Sequence, residues 1–171
     1  HTSEQIMPLD ELLHYLKKID QFDVGPVAAV LAQTEAIGDP AVPSPDHRAK
    51  MEWVEVAFSR WQEYFPLDPS LARELRKLLP LGAALAITDP EFMTPGAHCF
   101  HQLLDTMQEA AVGWQVSPNG AVRGLAGEIQ RVIASACRWH EGANADLAAL
   151  LTQLKTAAAK DRGRARRMAQ R

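Results

Sequence analysis

Two cysteines in 171 residues, Cys99 and Cys137, are too few for a disulfide framework, and both fall in apolar helical stretches. A reducing compartment is the resulting expectation. Aromatic residues make up only 6%, and Val, Ile and Thr never alternate in a run, so the pattern that strands require is missing. No stretch approaches the ~18 consecutive apolar residues of a membrane span. The nearest, Leu78 to Ile87, is interrupted by Pro80 and Gly82. The first residues, His1 to Gln5, are polar and carry neither an initiating Met nor a signal-peptide core; the expectation is a cytoplasmic domain with no transmembrane segment in this stretch, membrane segments elsewhere in a longer parent staying open. Compact catalytic signatures are missing too. The sequence has no phosphate loop, no G-x-G-x-x-G and no strand-to-helix nucleophile turn.

What the chain does contain is Ala, Leu and charge in helical rhythm. Hydrophobic residues reach 47% and charged ones 23%, in a length that buries a core without metal or disulfide staples. The net charge of −3 is unevenly placed. Residues 155 to 171 hold seven Lys or Arg against Asp161, or 7 − 1 = +6; the other 154 residues hold 11 basic and 20 acidic side chains, or −9. An acidic body with a basic handle does not suit nucleic acid, which needs basic residues spread over the folded surface.

The spacing predicts an all-α fold, an irregular bundle of six or seven helices with a long C-terminal one. Leu9 to Asp20 is the first helix, with Pro8 at its start and Asp10 and Glu11 in the first turn. Val27 to Ile37 is a short second helix, closed by Gly38-Asp39-Pro40. Pro40, Pro43 and Pro45 mark Gly38 to Asp46 as an extended surface loop. Asp46 then caps a third helix, His47 to Tyr64, whose Trp53, Val54, Ala57, Phe58 and Trp61 nearly cover two faces; it is expected to organise the core. Asp68-Pro69 opens a fourth helix, which Pro80 should kink or split near Lys77. The fifth runs from His98 to Val112 with Gly113 as its C-cap, and the sixth from Val122 to Trp139.

In the last helix Leu147, Leu150, Leu151, Leu154, Ala157 and Ala158 form one apolar stripe, after which Arg162, Arg164, Arg166, Arg167 and Arg171 follow with only Gly163 as a weak breaker. The expectation is a single domain over 1–154 and a basic connector over 155–171 that continues the last helix toward another part of a longer protein. Arg162, Arg164, Arg166 and Arg167 are the residues expected to meet a partner.

His98, Cys99 and His101 are good zinc ligands, and Cys137 and His140 on another helix repeat the i, i+3 spacing. A helix-start His and a buried Cys pack more commonly as ordinary residues. No metal, cofactor or catalytic residue is therefore assigned. Trp53, Trp61, Trp114 and Trp139 are assigned to core and rim packing, with a ligand pocket as the alternative.

One run of motifs is familiar. Leu79-Pro80-Leu81, Thr88-Asp89-Pro90-Glu91-Phe92, His98, Leu103-Leu104-Asp105 and Gly113-Trp114 occur in an order that resembles a bacterial family of unknown function, the domain family numbered 1631. The likeness covers about Leu71 to Trp139. Cys99 stands where the family pattern has a proline, and Phe100-His101-Gln102 replace a more basic segment. The resemblance implies a long, cytoplasmic helical protein linked to cyclic-di-GMP signalling, with no catalytic residues to carry over. The expected function is thus a non-catalytic regulatory or scaffold module that acts through protein contacts or dimerisation, any catalysis belonging to an attached output domain. The alternative is a small-molecule sensor with an apolar pocket between tryptophan-bearing helices.

Overall fold

The computed structural model describes residues 5–94, 96–116, 120–142 and 146–170, with side chains described outside 112–124. Among the described residues the regular structure is helical apart from one pair of two-residue strands. Strand β1 (Gln5–Ile6) and β2 (Ala41–Val42) pair in parallel, Gln5 opposite Ala41 and Ile6 opposite Val42. The segment expected to be a plain loop therefore contains a strand. The reason lies at Asp39: Oδ1 accepts the Ala41 N–H (2.9 Å) while Oδ2 accepts the Tyr15 hydroxyl (2.8 Å), which holds the proline-rich chain extended beside the N-terminus. That hydrogen bond pushes the Tyr15 phenol up to about 12. The Ala41 N–H, followed by Tyr15, holds the Asp39 carboxyl below its usual range.

Helix α1 (Leu9–Lys17) buries Leu12, Tyr15 and Leu16, and α2 (Pro26–Ala36) starts on a proline that fits a first helical position. Helix α3 (Pro45–Tyr64) is capped by Ser44, whose hydroxyl accepts the His47 N–H at 3.1 Å. The cap is thus Ser44 rather than Asp46, because Pro45 occupies the first helical position and Asp46 falls inside the first turn. Asp68 caps α4 (Pro69–Arg76), and a break at Lys77 and Leu78 separates it from α5 (Leu79–Thr88), with Pro80 in the first turn of the new helix. The split expected near Lys77 is present.

The core organiser is α5, not α3. Helix α3 buries only Met51, Val54 and Phe58, and Trp53 on its outer side is 41% exposed, because charged residues such as Glu52, Glu55 and Arg60 share the helix with its aromatics. Helix α5 has no charged residue, and eight of its ten residues, Leu79 to Ala84 with Ala86 and Ile87, are buried. It lies among α1, α2 and α3. At Gly82 an added Cβ would stand 3.2 Å from Phe100 Cζ and 3.3 Å from Val54 Cγ1, so the missing side chain lets two neighbouring elements close on the helix.

After a 3-10 turn (Pro90–Met93) come α6 (Cys99–Val116), α7 (Gly120–Cys137), a second 3-10 turn (Arg138–Glu141) and α8 (Leu147–Ala169). Helix α6 passes through Gly113 to Val116, so Gly113 is not the C-cap expected of it; Gly is tolerated in a helix interior at about 1 kcal/mol. The loop expected at Ser117 to Gly120 lies largely outside the described residues, as do His1 to Glu4 and the end of the turn at His140 to Asn144, and Trp114 falls outside the described side chains. Helices α6 and α7 both pack against α8, whose cap Asp146 accepts the Ala149 N–H at 3.0 Å. The buried residues of both halves join in one continuous core.

Candidate functional site

The middle of the familiar motif run, Asp89 to His98, forms a latch. Asp89 Oδ1 accepts the Glu91 N–H (3.0 Å) and so caps the first 3-10 turn, while its Oδ2 lies 3.0 Å from His98 Nε2. His98 Nδ1 in turn accepts the Phe100 N–H at 3.0 Å. An accepting Nδ1 places the neutral ring's proton on Nε2, directed at Asp89. One aspartate therefore ties the end of α5, the 3-10 turn and the start of α6 together. Phe92, 2% exposed, sits beneath this latch with its ring centroid 4.5 Å from His101 and 5.4 Å from Phe100. Cys99, where the resembling pattern has a proline, is the first residue of α6, a position that suits proline because its N–H has no intrahelical partner.

Next to the latch, α3 and α6 diverge around a pocket of about 160 Å³. Trp53, Ala57 and Trp61 line it from one side, Phe100, His101, Leu104 and Asp105 from the other, with Phe58 and Phe92 completing the aromatic wall. Two ring nitrogens of the lining, Trp61 Nε1 and His101 Nδ1, are buried without a hydrogen-bond partner. Such orphaned donors and acceptors are uncommon in folded proteins, since each costs about 1–3 kcal/mol of lost solvation. Burial holds the His101 imidazole below its ordinary range, with His98 adding to the effect and Asp105 opposing it. At neutral pH the ring is uncharged.

The zinc candidates do not converge. His98 has both ring nitrogens engaged, while His140 Nδ1 is 2.7 Å from the Lys17 carbonyl oxygen beside Trp139 and Phe22. The Cys137 thiol donates to the Lys77 carbonyl at 3.5 Å, and burial pushes it up to about 11, which leaves it protonated at neutral pH. Among the described residues, no group of three or more His, Cys, Asp or Glu side chains is arranged to hold a metal ion. No described helix is long and apolar enough to cross a membrane.

The basic residues occupy the far part of α8. Leu147, Leu151, Leu154 and Ala158 bury one face of its first three turns, and beyond Ala158 no described residue of the helix is buried. Arg162 borders a groove of about 220 Å³ between α6 and α8, beside Glu109, and Arg164 borders one of about 470 Å³ between α7 and α8, beside Glu128. Arg166 and Arg167 are exposed beyond both. Among the described residues none of these four arginines has an ion-pair partner.

Sequence reasoning grouped His101 with His98 and Cys99 as possible chelators and missed its place in the pocket. The signal was available as spacing: Trp53, Ala57 and Trp61 recur at i, i+4, i+8, and His101, Leu104 and Asp105 at i, i+3, i+4, with Ala57 as the small residue that leaves room. That the two stripes face each other is a long-range fact, not legible in either. In comparison with known proteins, the family model described as "Protein of unknown function (DUF1631) 2nd domain" matches residues 27–142. No curated protein and no solved structure matches the chain.

Proposed function

The chain belongs to the DUF1631 second-domain family, and on that premise we propose that it is a non-catalytic helical regulatory or scaffold module of a bacterial signalling protein linked to cyclic-di-GMP turnover. It works through protein contacts made by the basic end of α8. The observation that carries this reading is the run Arg162, Arg164, Arg166 and Arg167, four cations without an ion-pair partner among the described residues, on a helix whose other end is anchored in the core. Arg166 and Arg167 extend past the grooves that Arg162 and Arg164 border, and a helix end of one charge sign selects acidic partners and speeds their encounter. A second copy of the chain qualifies, because the body outside 155–171 carries −9.

Mass measured over a concentration series, at low and at high salt, tests this. At low salt the average mass should rise with concentration, and 0.5 M salt or the fourfold change of Arg162, Arg164, Arg166 and Arg167 to Glu should abolish the rise. A wild-type chain that stays monomeric throughout and captures no partner in a pull-down would refute the contact reading.

A second reading rests on a separate observation, the pocket between α3 and α6 with its two unpartnered ring nitrogens. In that reading the domain is a small-molecule sensor, and occupancy of the pocket adjusts how α6 sits and hence how α8, packed on α6, is presented.

A further inference from the structure

If the basic end of α8 meets a second copy of the chain, as the contact reading on which this step rests allows, that copy must offer a surface for it. We propose that the surface is the α3–α6 pocket, and that Met168 of each copy inserts into the pocket of the other, closing a dimer.

Met168 is the one large apolar residue between Lys160 and Gln170, and it is 62% exposed. Unbranched and polarisable, methionine suits an aromatic wall. Trp53, Phe58, Trp61, Phe92 and Phe100 supply such a wall, and Trp53 and Asp105 are both exposed, so the pocket opens to solvent. Its volume of about 160 Å³ has room for one side chain of this kind, since an engineered cavity of ~150 Å³ takes benzene. Charge agrees with shape. Asp105 is the one carboxylate on the lining, it has no ion-pair partner among the described residues, and α6 carries no Lys or Arg. Arg164 stands one turn before Met168 on the same helix face and Arg167 beside it, so an inserted Met168 carries guanidinium groups to the rim that Asp105 occupies.

The tip of α8 is out of reach of its own pocket. Helices α6 and α7 are joined by a few residues, as are α7 and α8, and Gln153 Nε2 donates to Glu128 Oε1 (2.6 Å) as an antiparallel hairpin requires. Two antiparallel steps make α6 and α8 parallel. Ala110 and Ala158 line one groove between them; Met168 lies beyond that level along α8, and Leu104 of the pocket lies before it along α6. At 1.5 Å of rise per residue the two are separated by roughly 24 Å along the axis. A two-fold axis across these helices turns one copy end for end and sets each Met168 level with the other copy's pocket.

The test follows the Met168 methyl resonance and the average mass of the 171-residue chain over a concentration series at low salt. As the mass rises toward that of a dimer, the methyl should move upfield under the ring currents of the pocket. Met168→Gln, an exposed change that leaves every charge in place, should weaken association about tenfold or more, the scale of one apolar side chain withdrawn from burial at each contact. Ala57→Leu fills the pocket from α3 and should weaken association likewise, with all four arginines intact. Each variant keeps the half that the other lacks. Unlabelled Met168→Gln chain should therefore move the Met168 methyl of labelled Ala57→Leu chain, and unlabelled Ala57→Leu chain should not. If Ala57→Leu fails to fold, Met168→Gln and the methyl shift decide alone. Association that the fourfold Arg→Glu variant abolishes, but that Met168→Gln and Ala57→Leu leave unchanged, would overturn the pocket assignment and leave the contact reading standing. A wild-type chain that stays monomeric would also overturn the assignment, and if it captures no partner in a pull-down the contact reading falls with it.

Discussion

Helix α5 and the last turns of α8 are both regular helix, and each carries one glycine, yet almost nothing else about them agrees. Helix α5 contains no charge and is buried nearly all round, so its stability comes from its neighbours. The last turns of α8 are charged and buried nowhere, so they stay helical by continuing a segment that Leu147, Leu151, Leu154 and Ala158 have already nucleated against α6 and α7. One helix holds the fold together and the other is held by it. The difference teaches where change is tolerated, and so where a contact surface can be kept without cost to the core.

The contrast predicts a graded set of effects. The largest belongs to Leu81, 5% exposed in the first turn of α5: Leu81→Ala should cost about 2–4 kcal/mol in denaturant unfolding, the lost transfer energy plus the cavity. A loss under ~1 kcal/mol would break the claim that α5 is central. Gly82→Ala comes next. Alanine is the better helix former by about 1 kcal/mol, but the new methyl would press on Phe100 and Val54, both buried and backed by core, so a net loss of about 1 kcal/mol is expected.

Gly163→Ala in α8 should do the opposite. Its Cβ would meet only the flexible Arg167 Nη1 at 3.7 Å, so the helical signal should rise and stability should gain up to about 0.5 kcal/mol. Two glycines with opposite signs would sharpen the comparison; a shared sign would remove it. The smallest effect concerns pH. His101 titrates below its ordinary 6.5 in the folded chain, so between those two values the unfolded chain binds more protons. Stability should therefore be complete above about pH 6.5 and decline as the pH falls below it. His101→Phe should flatten that slope in melting curves taken at several pH values.

Much of this architecture was legible in the sequence because it is written in local chemistry. Asp68-Pro69 announced a cap, Pro80 announced a break, and the stripe through Leu147, Leu151 and Leu154 announced the packed face of α8. Errors arose where local signals conflict with global placement. Trp53 and Trp61 made α3 look central, but periodicity counts apolar residues on a face and does not say what lies opposite. Helix α5, made of Ala, Gly and Leu without a stripe, gave no face at all, although the absence of charge was itself the sign of burial on every side. Asp39 reaching Tyr15 from 24 residues away, and His101 meeting α3 across a pocket, are pairings that no local window contains.

The central claim is that the free end of α8 is the working surface. Hydrogen exchange measured along α8 at low and at high protein concentration, in low salt, tests it most directly. The account predicts slow exchange in 147–158 at both concentrations, and fast exchange in 159–169 that slows as the chain associates, with no slowing in the fourfold Arg→Glu variant. Association that leaves 159–169 fast while another surface becomes protected would contradict it.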